Sequence, residues 1–367
     1  MATFNPTEEF TFADVLLLPG KSRIEIAEES IIDLSTNLTK GIKLEIPIIS
    51  ANMPGVTESD MAIAMSKMGG LGIIHQFMDN RRQLEEVRKV KKHNLFVGAA
   101  VYSYGDDIIK QAKALIKAGC DLIVVDSANA HNERAINLVK ELKRRIGCEL
   151  IVGNIVSGEA ALALIKAGAD GIKVGIGPGS HCTTRIVTGH GRPQLSAIKE
   201  CAQVAKKYGI PVIADGGIGF SGDIVKALAL GASAVMLGGL LAATDQAPGK
   251  IIKKKGLYYK KTLGNCTEEA ALLSKQKETL IFRMKGLLKR FIYAKDQTLS
   301  HREFFIEEGV GRLVEYKGDV RRIVGQLVGE VRRGLWYGGA TSISELQKKA
   351  KFIRVSAASL QENEARI

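Results

Sequence analysis

Eight short runs dominated by apolar, β-prone residues recur between residues 46 and 237: Ile46–Ala51, Leu71–His75, Phe96–Val101, Asp121–Asp126, Glu149–Gly153, Gly171–Gly175, Pro211–Asp215 and Ala232–Leu237. A continuous apolar run of this length predicts a strand covered on both faces, as in a parallel sheet wrapped by helices. Amphipathic stretches lie between or after the runs, at Ser59–Met68, Arg81–Lys91, Asp106–Ala118, Asn132–Arg145, Gly158–Ala167, Gln194–Lys207 and Ser221–Leu230. Several stop at a glycine just past the last apolar turn, as at Gly119, Gly168 and Gly231, a common helix terminator. Eight such units in about 200 residues favour a closed barrel over an open doubly wound sheet. An open sheet of that kind would carry G-x-G-x-x-G after its first strand, and no such fingerprint follows Ile46–Ala51. The expected fold is α/β, a (β/α)8 TIM barrel forming one domain over residues 1–367.

Polar residues or glycines stand at the end of nearly every run: Ser50, Asn52 and Met53; His75; Asp126, Ser127 and Asn129; Gly153 and Asn154; Gly175 to Cys182; Asp215 to Gly217; Gly238 and Gly239. In a (β/α)8 barrel these ends meet at one mouth, where active sites sit. The longest motif there is Gly175-Ile176-Gly177-Pro178-Gly179-Ser180-His181-Cys182-Thr183-Thr184-Arg185. Its glycines let the backbone turn tightly and bring N–H groups to a ligand, and Ser180 adds a hydroxyl suited to a phosphate oxygen. A free cysteine, with a pKa of about 8.5, is only a few per cent thiolate near neutrality. Arg185 and nearby N–H groups could shift Cys182 further that way. A lone cysteine is more often a small buried residue; in this glycine frame Cys182 is read as a nucleophile. Cys120, Cys148, Cys201 and Cys266 keep the bland reading. No C-x-x-C pairs occur among the five cysteines, so neither a disulfide framework nor a zinc knuckle is expected, and a cytoplasmic location is. His75, at a strand end, reads as structural; no motif gives His131 or His181 a role, and no spacing suggests a metal triad.

After the eighth run the pattern breaks. Residues 250–320 are long, basic and interrupted by Gly256, Gly264, Gly286 and Gly309, an insertion expected to act as a flap. The net charge is +13, and the stretch Lys250–Lys295, with 13 basic and 3 acidic residues, carries +10 of it. Within it, Leu272–Arg290 could form a basic amphipathic helix that touches RNA or anionic lipid. The alternative, favoured because few aromatics interleave the charges, is a solvated helix that steers anionic nucleotides to the mouth, so no DNA partner is expected. No apolar run is long enough to span a bilayer, and Met1–Phe10, with Glu8 and Glu9, does not resemble a secretory leader. A helix at Asp319–Arg332, a glycine-rich strip at Gly334–Ala340 and a last helix at Ser342–Lys351 are expected to follow.

The cysteine motif resembles the signature of the IMP dehydrogenase/GMP reductase family. So do Thr11-Phe12-x-Asp14-Val15-Leu16-Leu17-Leu18-Pro19-Gly20, Gly69 to His75, Ala214 to Ile218 with Ser221 to Ile224, and Tyr316-Lys317-Gly318 followed by Gln326 to Gly329. The resemblance covers the chain except about residues 255–305. It implies a purine nucleoside monophosphate substrate, with Cys182 attacking C2 of the base. Ser180, Gly217, Gly238 and Gly239 would hold the 5′-phosphate, Asp215 the ribose hydroxyls, and Met53, Asn154 and Gly264 the rest of the nucleotide. Asp126, Ser127 and Asn129 would face the nicotinamide dinucleotide: NAD for a dehydrogenase, NADP for a reductase. Carbonyls of Gly177, Gly179 and Cys182 would ring a potassium ion. Thr184 and Glu308 would relay a proton, and a homotetramer would be the usual assembly.

The long insertion, Glu308-Gly309-Val310 and Ser356 to Leu360 resemble IMP dehydrogenase, whereas Pro193 to Ala197 and Gly238-Gly239 resemble GMP reductase. The dehydrogenase's water-activating Arg-Tyr pair has its nearest match in Arg290-Phe291, with Tyr293 close by and Arg302 a second candidate. The base-contacting Gly-Met-Gly stands as Thr262-Leu263-Gly264, Met53 is followed by Pro54-Gly55, and the tail reads Glu362-Asn363-Glu364. The CBS pair that interrupts many such barrels has no room between Arg88–Asn94 and Phe96.

Overall fold

A computed structural model describes residues 7–274 and 307–359, apart from 106, 266 and 357. Its centre is a closed barrel of eight parallel strands: β1 (Ile48–Ser50), β2 (Leu71–Ile74), β3 (Gly98–Tyr102), β4 (Leu122–Asp126), β5 (Glu149–Ile155), β6 (Gly171–Val174), β7 (Val212–Asp215) and β8 (Ala234–Leu237). They follow chain order around the ring, and β8 closes on β1 with Val235, Met236 and Leu237 opposite Ile48, Ile49 and Ser50. Each expected apolar run coincides with one of these strands, although β3 runs one residue past Val101 and β5 two residues past Gly153. Their side chains are buried because barrel interior and helix layer cover both faces, which is why the runs do not alternate with polar residues.

Helices α1 (Ser59–Lys67), α2 (Asn80–Lys91), α3 (Ile108–Lys117), α4 (Glu133–Ile146), α5 (Gly158–Ala167), α6 (Gln194–Lys206) and α7 (Ser221–Ala229) follow β1 to β7. Asp79, Asn132 and Ser157 cap α2, α4 and α5 through side-chain oxygens that accept backbone N–H bonds. The eighth helix, α8 (Val320–Tyr337), packs against α7 and α1 and so completes the outer ring. It runs past the expected end at Arg332, because Val331 and Leu335 continue its buried face into the glycine-rich strip. Trp336 lies on this last stretch and donates its indole N–H to the Ile24 carbonyl at 3.0 Å.

The ends of the 250–320 insertion are regular structure. Strands Ile251–Lys254 and Leu257–Thr262 form a hairpin, and Arg312–Glu315 adds antiparallel to Leu257–Thr262. A short helix follows at Glu268–Ser274. Arg290, Tyr293, Arg302, Cys266, the tail 362–364 and nearly all of the basic 272–290 segment lie outside the described residues. An N-terminal strand, Val15–Leu17, pairs with Phe352–Arg354 and ties the two ends of the barrel domain together. Among the described residues no helix is long and apolar enough to cross a membrane.

Candidate active site

The loop from Gly175 to Thr183 leaves β6 and bends over the C-terminal ends of the strands. Gly175 has φ +147°, and a Cβ there would fall 2.0 Å from the Asp215 carbonyl oxygen, so only glycine fits beside β7. The loop borders a cavity of about 590 Å³. Of the residues singled out in the sequence, Met53, Asp126, Ser127, Asn154, Gly177, Gly179, Ser180, Cys182, Thr184, Asp215, Gly217, Gly238, Gly239, Gly264 and Glu308 all line it. Asn129 does not. Its side-chain oxygen accepts the His131 N–H and its carbonyl accepts bonds from Ser127 and Asn132, so it builds the turn into α4.

Cys182 begins a line of polar groups. Its thiol donates to Thr184 Oγ1 at 3.1 Å, and the Thr184 hydroxyl donates to Glu308 Oε2 at 2.7 Å. Glu308 comes from 124 residues further along the chain, and backbone pairing puts it there. Thr183 N–H donates to the Glu308 carbonyl at 2.8 Å, Val310 N–H to the His181 carbonyl at 2.9 Å, and Gly264 N–H to the Val310 carbonyl at 3.2 Å. Both ends of the insertion are thereby stitched to the cysteine loop. The other described cysteines differ in kind. Burial pushes Cys148 up to about 11 and Cys201 up to about 12, and it raises Cys120 further still.

A second group sits on the floor of the cavity and centres on Lys173, which the sequence reading passed over. Lys173 projects from β6, is 2% exposed, and donates to Asp215 Oδ2 at 2.6 Å, to Asp126 Oδ1 at 3.1 Å and to Asn154 Oδ1. Burial opposes the ammonium charge, but Asp215 and Asp126 outweigh it and hold the group above the usual lysine range. Asn154 Nδ2 donates to the same Asp215 oxygen at 3.0 Å, which leaves Oδ1 without a partner among the described residues. Gln76 donates to the other oxygen of Asp126 at 2.9 Å. The signal in the sequence was a single charged residue inside an otherwise apolar strand, Gly171-Ile172-Lys173-Val174.

At the end near β7 and β8, the N–H groups of Gly217, Gly238 and Gly239 donate no hydrogen bond among the described residues. Ser180 Oγ lies against Gly239, where an added Cβ would come within 3.1 Å of it. Unpartnered N–H groups beside a hydroxyl form a receptacle for a small oxyanion. The carbonyls of Gly177 and Cys182 accept no hydrogen bond among the described residues, whereas that of Gly179 accepts the Cys182 N–H at 3.0 Å. Such neutral oxygens suit a hard cation. No group of histidine, cysteine and acidic side chains suited to a metal ion occurs among the described residues.

His75 is buried. Its Nδ1 accepts the Phe77 N–H at 3.1 Å, which places the ring proton on Nε2, 3.4 Å from Glu58 Oε1. It is a structural residue, as expected.

Residues 9–366 match the IMP dehydrogenase / GMP reductase domain. The chain belongs to this family. It is 40% identical to the inosine-5'-monophosphate dehydrogenase of Cryptosporidium parvum, covering 99% of this chain and 96% of that one. With the enzyme of the same name from Borreliella burgdorferi the identity is 38%, over 97% and 96%. With that of Aquifex aeolicus it is 35%, over 97% and 95%. This last alignment spans 487 positions against a chain of 367 residues, so at least 120 positions of that family member have no counterpart here. The family's closed parallel barrel is the one seen here.

Proposed function

We propose that this chain oxidises IMP to XMP with NAD, through a covalent adduct at Cys182. The observation that carries the reading is the line Cys182–Thr184–Glu308, placed beside a receptacle of unpartnered N–H groups in one cavity. The phosphate of the nucleotide would occupy the N–H groups of Gly217, Gly238 and Gly239 with the Ser180 hydroxyl. Asp215 Oδ1 would accept from the ribose hydroxyls, its other oxygen being fixed by Lys173 and Asn154. Met53, Asn154 and Gly264 would border the remaining parts. Thus anchored, C2 of the purine is presented to Sγ.

The thiol proton passes to Thr184 as the Thr184 proton passes to Glu308, and the Sγ–C2 bond forms as the C2–N3 π pair moves onto N3. NAD, when bound, would supply the acceptor for the C2 hydride, whose departure would let the N3 pair re-form the C2–N3 double bond. Asp126 and Ser127 border the space it would enter, and Gln76 and Lys173 hold the Asp126 carboxylate in place. Glu308 gives that first proton to solvent. Water then adds at C2, its proton passes along Thr184 to Glu308, the C2–Sγ bond breaks to release XMP, and Glu308 returns the proton through Thr184 to restore the thiol. Gly177, Gly179 and Cys182 carbonyls would hold a monovalent cation, which keeps the loop shaped around the nucleophile. Arg290, the candidate to activate that water, lies outside the described residues.

We further propose that the barrel acts without an inserted regulatory module. Only residues 92–97 join α2 to β3. Two assays test the activity: IMP with NAD, and GMP with NADPH, each followed at the nicotinamide absorbance. Reduction of NAD in the first is expected, and Cys182→Ala is expected to abolish it. Turnover only in the second would make the chain a reductase, and a fully active Cys182→Ala would end the covalent reading.

A further inference from the structure

His181 belongs to the cysteine loop, yet the reaction proposed above gives it no work. It is 7% exposed and lines the cavity. Its ring spans two elements: Nδ1 lies 3.1 Å from Ser180 Oγ, and Nε2 lies 2.7 Å from Thr262 Oγ1. Thr262 ends the insertion strand Leu257–Thr262, is 1% exposed, and donates its hydroxyl proton to the Arg312 carbonyl at 3.3 Å. Both partners of the ring are hydroxyls, which a neutral imidazole satisfies with one donor and one acceptor nitrogen.

A neutral imidazole has one donor and one acceptor. While Thr262 donates to Arg312, it must accept from His181, so the ring proton is on Nε2. Nδ1 is then the acceptor and takes the only proton of Ser180. In that arrangement Ser180 offers a phosphate lone pairs alone. Ser180 can give its proton to the phosphate and keep its hydrogen bond to the ring only in the other tautomer. Nδ1–H would then donate to Ser180, Nε2 would accept from Thr262, and Thr262 would leave the Arg312 carbonyl. The ring stays neutral: one proton leaves Nε2 and one arrives at Nδ1, by exchange with water.

We propose that His181 is a positioning residue that couples phosphate capture by Ser180 to the hydrogen bonding of the insertion's base strand at Thr262. This rests on the nucleoside monophosphate reading, and its test separates the two. Dissociation constants for IMP and for inosine, which lacks the phosphate, are measured by calorimetry on the full chain. The proteins compared are wild type, His181→Leu, His181→Gln, Ser180→Ala, and His181→Leu combined with Ser180→Ala. His181→Leu is expected to weaken IMP about tenfold, the scale of one hydrogen bond to a charged group, and to leave inosine unchanged. His181→Gln, whose amide can both donate and accept, should recover much of the loss. In the Ser180→Ala background the His181→Leu effect should vanish. Equal losses for IMP and inosine, or undiminished loss without Ser180, would overturn the coupling while leaving the nucleotide reading intact. A wild-type protein that binds no IMP would remove both. Thermal midpoints of each variant identify any that fail to fold, and Thr262→Val, which removes the ring's other partner, then stands in for His181→Leu with the same expected split between IMP and inosine.

Discussion

A thiol serves as a nucleophile only where solvent, a proton acceptor and a substrate can all reach it. Cys182 meets that requirement through Thr184 and Glu308, while Cys120, Cys148 and Cys201 are buried or raised well above the usual thiol range. Brief iodoacetamide treatment should therefore label Cys182 before Cys148 and Cys201, and IMP should protect it; peptide mapping that found Cys148 or Cys201 labelled first would contradict this. Thr184→Val and Glu308→Gln interrupt the line at successive atoms. Each should lower kcat by about 10²–10⁴, the range of a lost general acid–base group, with little change in IMP affinity. His75 makes a prediction about stability rather than turnover. Burial depresses its folded-state pKa despite Glu58. The unfolded chain therefore takes up a proton first, stability is complete above about pH 6.5, and it is lost as pH falls from there towards the folded value. The slope should reach about 1.4 kcal/mol per pH unit. Urea unfolding at stepwise pH from 7.5 to 5.5 should show it, and His75→Gln, which can still accept the Phe77 N–H, should flatten the curve in that window.

At the level of elements, β6 carries both a barrel wall and the centre of the site. Lys173 keeps two carboxylates, Asp126 on β4 and Asp215 on β7, from facing each other uncompensated. Replacing it by Met leaves buried charge unpaired, a change that costs about 3–5 kcal/mol. Lys173→Met should lower the urea midpoint by a matching amount and weaken nucleotide binding through Asp215; an unchanged midpoint would show the carboxylates are compensated elsewhere. Lys173 also shows where reading the sequence ran out. The eight strands were legible because double coverage makes each run continuously apolar, and for the same reason a single lysine inside one run passed as noise. The three-stranded sheet at the base of the insertion was not legible. Ile251–Lys254 and Leu257–Thr262 mix lysine with apolar residues without a period of two, since one edge lies open to solvent and Lys260 turns inward to the carbonyls of Thr244 and Ala247. The Val15–Leu17 pairing with Phe352–Arg354 joins two three-residue strands from opposite ends of the chain, too short for any local pattern. Most of the cavity-lining residues were legible in the sequence because they cluster at strand ends. His181 was not assigned, because its two partners, one adjacent and one 81 residues away, have no spacing to read.

On the scale of the whole molecule, charge is concentrated rather than spread. The stretch Lys250–Lys295 holds +10 of the net +13. Its described part begins in a hairpin with Lys253, Lys254 and Lys255 exposed, on the same sheet whose Arg312 and Val314 border the cavity. A patch of one sign beside a concave site raises the encounter rate of an oppositely charged ligand and fades once the Debye length falls below the separation, near 3 Å at about 1 M salt. The association rate of IMP, measured by stopped flow, should therefore fall with added salt in the wild type. Changing Lys253, Lys254 and Lys255 together to Glu should slow it about threefold to tenfold at low salt, and the two proteins should converge at high salt. The dissociation rate should change little, because the anchoring N–H groups lie in the loops after β7 and β8. Steering fails as an account if the triple variant binds IMP as fast as the wild type at low salt. If that variant also loses salt-sensitive retention on immobilised RNA that the wild type shows, the basic segment serves a polyanion instead.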